Sequence, residues 1–458
     1  MNCKLNKVNK LLKEYNQEHL LKFYDELNED DKELLLDEIL EIDFELIKNT
    51  YKKIGDANNS NTKNEFNPMI AKVLNMYSKE EKENFYNMGI DALKDNKVAV
   101  CLVAGGQGTR LGHNGPKGTF NIGLPSNKSL FQIQCERLIY LSKQVGKYIP
   151  FYIMTSTENY SDTVNFFKEN NYFGYDKDKI MFFKQNNMPA INEEGKICLA
   201  NKNKINMSAN GNGGCFISLK ESGALKNMKN QGVEWIFLYG VDNALVKIAD
   251  PYFIGFTISS NQLAASKVVA KKHATEKVGV LCYKNNKPSI VEYSELPREL
   301  SDEIDSNGKI VYSNANILNH LLNIKFIDEI VDKDLPLHTA HKKIKYINEN
   351  NEKIEPCKPN GYKFEYFLFD TFELLDDMAV LEVLREEEFA PVKNADGDDS
   401  PKTARDLTLN LHKKWLTEAG LDKNILKNNV IEISPLISYN GENLNKDDIA
   451  IILKDNNL

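Results

Sequence analysis

The string Ala104-Gly105-Gly106-Gln107-Gly108-Thr109-Arg110-Leu111-Gly112, followed by Gly115-Pro116-Lys117-Gly118, puts six glycines and two permanent cations into fifteen residues. Glycines let backbone N–H groups approach a phosphate or a base closely. Arg110 and Lys117 then offer fixed positive charge to a polyphosphate. Two commoner glycine motifs are excluded. A P-loop needs Gly-Lys followed by Ser or Thr, and Gly108 is followed by Thr109-Arg110. A dinucleotide fingerprint needs its third glycine at position 111, whereas it falls at Gly112. A second chemical feature is Asp242, which ends the apolar run Trp235–Val241. Such a strand-end carboxylate suits magnesium, which often takes one or two protein oxygens and completes its shell with phosphates and water. His338 and His341 have helical i, i+3 spacing but no third ligand, and are expected on the surface. Cys101 lies in an apolar run and reads as a small hydrophobe rather than a nucleophile.

These residues need elements to hold them. Val98, Val100, Leu102 and Val103 form a short apolar run ending in glycines, the mark of a buried parallel strand. Further strands are expected at Tyr152–Met154, Trp235–Leu238 and Lys267–Ala270, with helices at Leu130–Leu141 and Thr163–Lys168 between them. Alternation of this kind predicts an α/β fold with a doubly wound sheet. Val278–Tyr283 and Ser289–Tyr293 read as an inserted antiparallel hairpin. Residues 10 to 55 carry apolar positions at three- and four-residue spacing and predict helices, with Asp30 and Asp31 as capping residues. Asp56 to Phe66 reads as a turn or linker. Apolar runs at Val430–Ile433 and Ile449–Leu453 suggest a small β-rich appendage. The expected division is a helical segment over 1–66, a central domain over 67–390 and a small C-terminal domain over 391–458.

The glycine string resembles the signature of nucleotide-sugar pyrophosphorylases, and closely that of the eukaryotic-type UDP-N-acetylhexosamine pyrophosphorylase family. The similarity continues through Leu124-Pro125-Ser126, Met188-Pro189-Ala190, Gly211-Asn212-Gly213-Gly214, Val241-Asp242-Asn243, Val291-Glu292-Tyr293, Pro359-Asn360-Gly361, Lys393-Asn394-Ala395-Asp396 and Ile433-Ser434-Pro435. It spans roughly residues 70 to 440 and is colinear. The resemblance implies a doubly wound, Rossmann-like nucleotidyltransferase sheet. It also implies a uridylyltransferase that joins UTP to N-acetylglucosamine 1-phosphate and releases pyrophosphate. By the same resemblance Val103, Ala104, Gly105, Gly106, Gln185, Gly211 and Asp242 bind the nucleotide, with Asp242 holding magnesium or manganese. Arg110, Lys117, Lys363 and Lys393 match the cations of phosphate transfer, while Asn212, Gly279, Glu292, Tyr293, Asn316, Phe367 and Phe369 match the sugar pocket. Phe367 and Phe369 are expected to alternate along a strand and so share a face. The chain departs from the family at Ala315, usually glycine, and at Lys277, usually proline. A broader UDP-sugar pyrophosphorylase using glucose or galactose 1-phosphate, or a non-catalytic UDP-sugar-binding protein, would share much of this pattern.

Bulk properties narrow the partners. With 66 acids, 58 bases and a net charge of −8, the 458-residue chain should repel nucleic acid and anionic lipid. Its seven scattered cysteines contain no C-x-x-C pair, which argues against a disulfide framework or zinc site and for a reducing compartment. No apolar run approaches a membrane span, so a cytoplasmic enzyme acting on small molecules is expected.

Overall fold

In a computed structural model, which describes residues 2–56, 64–331, 333 and 335–458, the apolar run Val98–Val103 becomes an interior strand of an eleven-stranded sheet. Val98, Ala99, Val100, Cys101 and Leu102 are all buried, as a strand covered on both faces requires. The described residues fall into two packing units. The larger comprises Glu65–Lys184, Phe216–Lys333 and Phe372–Leu458, and the smaller comprises Met1–Asn64, Gln185–Cys215 and Asp334–Thr371.

The larger unit holds the sheet. Its main path runs Lys72–Val73, Ala379–Glu382, Ala264–Ala270, Asn314–Asn323, Trp235–Gly240, Val98–Val103, Phe151–Thr155 and Ile180–Lys184. Pairs along this path are parallel except those made by Asn314–Asn323, which runs against both neighbours. The chain lays down Val98–Val103, steps outward to Phe151–Thr155 and Ile180–Lys184, then returns to place Trp235–Gly240 on the other side of Val98–Val103. That reversal makes the carboxyl ends of Val98–Val103 and Trp235–Gly240 the topological switch point, where open α/β sheets bind ligands. Helices Lys79–Lys94, Leu130–Val145 and Pro251–Ser259 cover the sheet, packing Phe85, Leu138 and Phe253 against Val100, Phe237 and Leu321.

The hairpin forms as Val280–Lys284 and Lys287–Val291. Its two-residue turn, Asn285-Asn286, has φ of 52° and 63°, the double left-handed geometry that asparagine tolerates and that matches strand twist. The expected β-rich tail is instead helical: Pro401–Glu418, Lys423–Asn428 and Lys446–Asp455 are helices, and Val430–Ile433 has no regular structure. Ile449 and Ile452 point the second apolar run into a core shared with Leu411, Trp415 and Ile433. The run was too short for its periodicity to separate a strand from one helical turn pair.

In the smaller unit, helices Asn2–Glu14, Glu29–Leu40 and Phe44–Asp56 carry out the amphipathic pattern of the N-terminus. The second is capped by Asn28, whose side chain accepts from the Asp31 N–H, rather than by Asp30 or Asp31. Short strands make up the rest, chiefly Leu337–Lys342 paired with Gly361–Tyr366. Most of the linker expected over Asp56 to Phe66 lies outside the described residues.

Candidate active site

At the switch point, Gly240 pairs with Val103, and the Val241 N–H reaches the Val103 carbonyl at 3.2 Å. The glycine loop and Asp242 therefore leave the sheet side by side. The loop folds back on itself: Gly108 N–H donates to Gly115 O at 2.9 Å and Lys117 N–H to Gly106 O at 3.0 Å. The N–H groups of Gly105, Gly106 and Gln107 have no acceptor among the described residues. Arg110 is exposed, Lys117 half-buried, and neither has a carboxylate partner among the described residues. Two adjacent strand ends thus carry unspent donors and unspent cations.

Asp242 is half-buried, and its carboxylate makes no ion pair among the described residues. No group of three or more potential metal ligands occurs among the described residues. The donor set fits a hard cation such as magnesium taking one protein carboxylate, and does not fit zinc, which needs three or four side-chain ligands. Lys393 is brought to the same place by backbone pairing. Val392 N–H donates to Asp242 O at 2.9 Å, and the Asn243 carboxamide bonds Glu388 O at 2.7 Å and Ala390 N–H at 2.9 Å. Behind this segment the fully buried Lys267 ammonium sits 2.6 Å from both Asp250 and Glu388. Unlike Arg110 and Lys117, Lys393 is partly engaged, lying 3.4 Å from Asp399 and 5.5 Å from the Phe389 ring centroid.

The hairpin and the antiparallel strand assemble the residues matched to the sugar. Asn316 N–H donates to Gly279 O at 2.9 Å, and Glu292 Oε1 lies 3.2 Å from where a Cβ on Gly279 would stand. Burial raises the Glu292 pKa, Glu295 adds to it, and the positive charge of Lys393 opposes both. Tyr293 next to it is exposed. Asn316 Oδ1 accepts the Leu318 N–H at 2.9 Å, which leaves the amide N–H₂ as the group free to donate. Leu318 sits at φ 50° opposite an irregularity in strand pairing between Ser266 and Val268, a bulge beside the site. Its Cδ2 fills the space at Gly240, 2.8 Å from where a Cβ would be, so a side chain there would have to displace the Leu318 side chain. Ala315 is buried, paired with Val280 and packed among Val269, Ile317 and Phe389, so the departure from glycine is absorbed in the core. Lys277 is exposed.

In the smaller unit Gln185, Gly211, Asn212, Lys363, Phe367 and Phe369 form a second group. Gln185 is buried and its Nε2 donates to Gly211 O at 2.6 Å and to Asn210 Oδ1 at 3.3 Å, so both N–H groups are used. Oε1 remains as an acceptor. Gly211 has φ +83°, and a Cβ there would stand 2.4 Å from Tyr366 O, so any other residue would force the loop off the strand. Asn212 Oδ1 accepts the Leu368 N–H at 3.0 Å, again leaving an amide donor. Lys363 lies on Gly361–Tyr366 with no carboxylate partner among the described residues.

Two expectations need correction here. Phe367 and Phe369 do not alternate along a strand, because the strand ends at Tyr366 and Leu368–Leu374 is a 3₁₀ helix. Their rings nevertheless stack, centroids 5.3 Å apart. His338 and His341 are not on a helix but on Leu337–Lys342, where i and i+3 face opposite ways. His338 stacks on Phe367 at 4.4 Å and its Nε2 lies 2.8 Å from Asp370, so it supports the aromatic pair. Sequence reading missed the role of His338 beside Phe367 and that of Lys267 beneath the 388–390 segment. Only the polarity of Lys267 within an apolar strand, Ala264–Ala270, was a usable signal.

Comparison with known proteins gives the family. The family model described as UTP--glucose-1-phosphate uridylyltransferase matches residues 44–448. A human protein, UDP-N-acetylhexosamine pyrophosphorylase-like protein 1, is 37% identical over 93% of this chain and 92% of its own. UDP-N-acetylglucosamine pyrophosphorylase of Saccharomyces cerevisiae is 42% identical over 81% of this chain and 79% of its own. The crystal structure of the Trypanosoma brucei uridine diphosphate N-acetylglucosamine pyrophosphorylase superposes with a TM-score of 0.84 at 29% identity, covering 99% of this chain and 96% of that one. With a glycine cradle and an unpaired acid at the switch point of a nucleotidyltransferase sheet, the chain belongs to the UDP-N-acetylhexosamine pyrophosphorylase family, within the UTP--glucose-1-phosphate uridylyltransferases, and is a nucleotidyltransferase.

Proposed function

We propose that the protein makes UDP-N-acetylglucosamine and pyrophosphate from UTP and N-acetylglucosamine 1-phosphate. The observation that carries this reading is the pairing of Val103 with Gly240, which sets the unspent N–H groups of the glycine loop beside the unpaired Asp242. An oxygen of the sugar 1-phosphate attacks the α-phosphorus of UTP in line. The new P–O bond forms as the α–β bridging bond breaks, and pyrophosphate leaves with the electron pair. A phosphate monoester has a second pKa of about 6 and is largely dianionic near neutrality, so no general base is needed.

The barrier is repulsion between polyanions and the charge growing on the leaving group. Arg110 and Lys117 stand free to neutralise the phosphates of the nucleotide. Lys393, held back by Asp399, serves the sugar phosphate side, and Lys363 is assigned phosphate contact by family resemblance. When bound, magnesium on Asp242 would add Lewis-acid neutralisation of phosphate oxygens, with manganese as a substitute. Gln185 presents an acceptor, which suits the N3–H of uracil and opposes cytosine, whose N3 is itself an acceptor. Asn316 presents an amide donor, which suits the carbonyl of an N-acetyl group, and Asn212 is assigned sugar contact by family resemblance. Glu292, beside Gly279 and Tyr293, accepts from sugar hydroxyls, and Phe367 with Phe369 offers an apolar wall to the acetyl methyl.

Small-molecule substrates and cysteines that form no disulfide among the described residues suit a cytoplasmic setting. No helix among the described residues is long and apolar enough to cross a membrane. The test is pyrophosphate release from UTP and magnesium with a panel of sugar 1-phosphates. Fastest turnover with N-acetylglucosamine 1-phosphate is expected; equal or faster use of glucose 1-phosphate would replace this reading with the broader UDP-sugar enzyme.

A further inference from the structure

The glycine loop is held from behind by a residue outside every motif above. Asn159 precedes helix Tyr160–Glu169 and is 0% exposed. Its Nδ2 donates to Ala104 O at 3.0 Å and to Gly106 O at 3.4 Å, while its Oδ1 accepts the Ser156 N–H at 2.9 Å. Its backbone N–H bonds Ser156 Oγ at 3.2 Å, and its carbonyl accepts from Thr163 N–H at 2.9 Å. Every polar atom of this buried amide is used, so its orientation has no freedom.

The consequence lies in peptide geometry. In a trans peptide the C=O of one residue and the N–H of the next point in opposite directions. Pinning Ala104 O and Gly106 O toward Asn159 therefore turns the N–H groups of Gly105 and Gln107 to the opposite side. These N–H groups are among those with no acceptor among the described residues. Without the pin, the Ala104–Gly105 peptide, followed by glycines at 105 and 106, could rotate at little cost, and Gly106 O would keep only its bond from the Lys117 N–H. The strand beneath does not substitute for it, because Met154 O bonds only the N–H of Ala104, one peptide earlier.

We propose that Asn159 is the positioning residue of the nucleotide cradle: it presets the loop amides that receive UTP and acts on nucleotide binding rather than on sugar binding. This inference rests on the functional reading above. Two substitutions test it. Asn159→Ser keeps an oxygen able to cap Ser156-to-helix entry but removes both N–H donors, and Asn159→Asp removes the donors and sets a carboxylate against two carbonyls. For Asn159→Ser, the UTP dissociation constant by calorimetry and the KM for UTP should rise about 10- to 100-fold, with the KM for the sugar 1-phosphate within about twofold. Asn159→Asp should be at least as impaired.

Amide hydrogen exchange reads the pin without any ligand. The Lys117 N–H, bonded to Gly106 O, should exchange about tenfold faster or more in Asn159→Ser, while amides of the Phe151–Thr155 strand stay protected. Unchanged UTP affinity in a folded Asn159→Ser variant, or unchanged Lys117 exchange, would overturn the proposal. An equal rise in both KM values would also overturn it, since that is what a general structural role predicts. A wild-type protein that bound no UTP would instead defeat the functional reading, and with it the cradle's assignment to a nucleotide.

Discussion

The backbone N–H of Val392 donates to the carbonyl of Asp242 at 2.9 Å, and this bond delivers Lys393 to the strand end that carries the acid. Val392 and Asp242 are 150 positions apart in the chain, yet neither can move alone. Asn243 strengthens the link by bonding both sides of the 388–390 segment, and the buried Lys267 neutralises Glu388 at its base. A buried ion pair of this kind is weak evidence for net stability, because desolvation offsets most of the attraction. Its value here is geometric: it fixes the start of the segment that ends in Lys393.

Because the Asp242 carboxylate makes no ion pair among the described residues, removing it should cost activity without costing the fold. Asp242→Ala should lower kcat for pyrophosphate release by about 10²–10³. Its thermal midpoint should stay within a degree or two of wild type, since no packed partner is lost. Release at near-wild-type rate would remove Asp242 from the mechanism.

Glu292 gives a prediction with a pH axis. Burial first, and Glu295 second, raise its pKa from the usual 4.5, against the pull of Lys393. A carboxylate that must accept from sugar hydroxyls works only when ionised. Affinity for the sugar phosphate should therefore fall as pH drops through this raised pKa, at a higher pH than an ordinary glutamate would give. Glu292→Gln should abolish that acid limb, and Glu292→Ala should raise the KM for sugar phosphate about tenfold while leaving the KM for UTP nearly unchanged. A parallel rise in both would show that Glu292 does not select the sugar.

How much of this could be read from the letters depends on the range of the interaction. The strand Val98–Val103, the hairpin around Asn285-Asn286 and the helix Leu130–Val145 follow from local periodicity and turn chemistry, and all were legible. The tail was not: Ile449–Leu453 is five residues long, and only the partners Leu411 and Trp415 decide that it is helical. His338 was misplaced for the same reason, since i, i+3 spacing means one face only on a helix. The interleaving of residues 185–215 and 334–371 with the N-terminal helices into one unit leaves no compositional trace, because a reading along the chain yields contiguous blocks. Among candidate site residues, the cations and Asp242 are proposed from chemical type and motif. Asn159 is marked only by which atoms it touches, and Lys267 only by its charge within the apolar strand Ala264–Ala270.

Gln185 tests base selection. With its two amide N–H groups spent on Gly211 O and Asn210 Oδ1, the side chain can only accept from the base. Gln185→Met keeps the approximate volume and removes the acceptor. The KM for UTP should rise about tenfold or more, and the preference for UTP over CTP should shrink by a similar factor. If the variant still rejected CTP as strongly as wild type, base reading would have to lie in the loop amides and not in Gln185.

Two histidines outside the site should govern acid stability. Burial holds both His320 and His412 at a pKa of about 3, with Arg137 adding to the effect at His412. His412 Nδ1 accepts the Ile433 N–H at 3.1 Å, so the neutral ring is the one the fold is built around. An unfolded histidine titrates near 6.5, and between that pH and 3 the unfolded chain takes up a proton that the folded chain refuses. The neutral-ring contribution is thus fully present above pH 6.5 and is lost as pH falls. The loss should approach about 1.4 kcal/mol per pH unit for each histidine. Urea unfolding at pH 7, 6 and 5 should show this decline. His412→Gln, which keeps an acceptor for Ile433, should make the slope shallower by one histidine's share. An unchanged slope in that variant would mean that other groups set the acid limit.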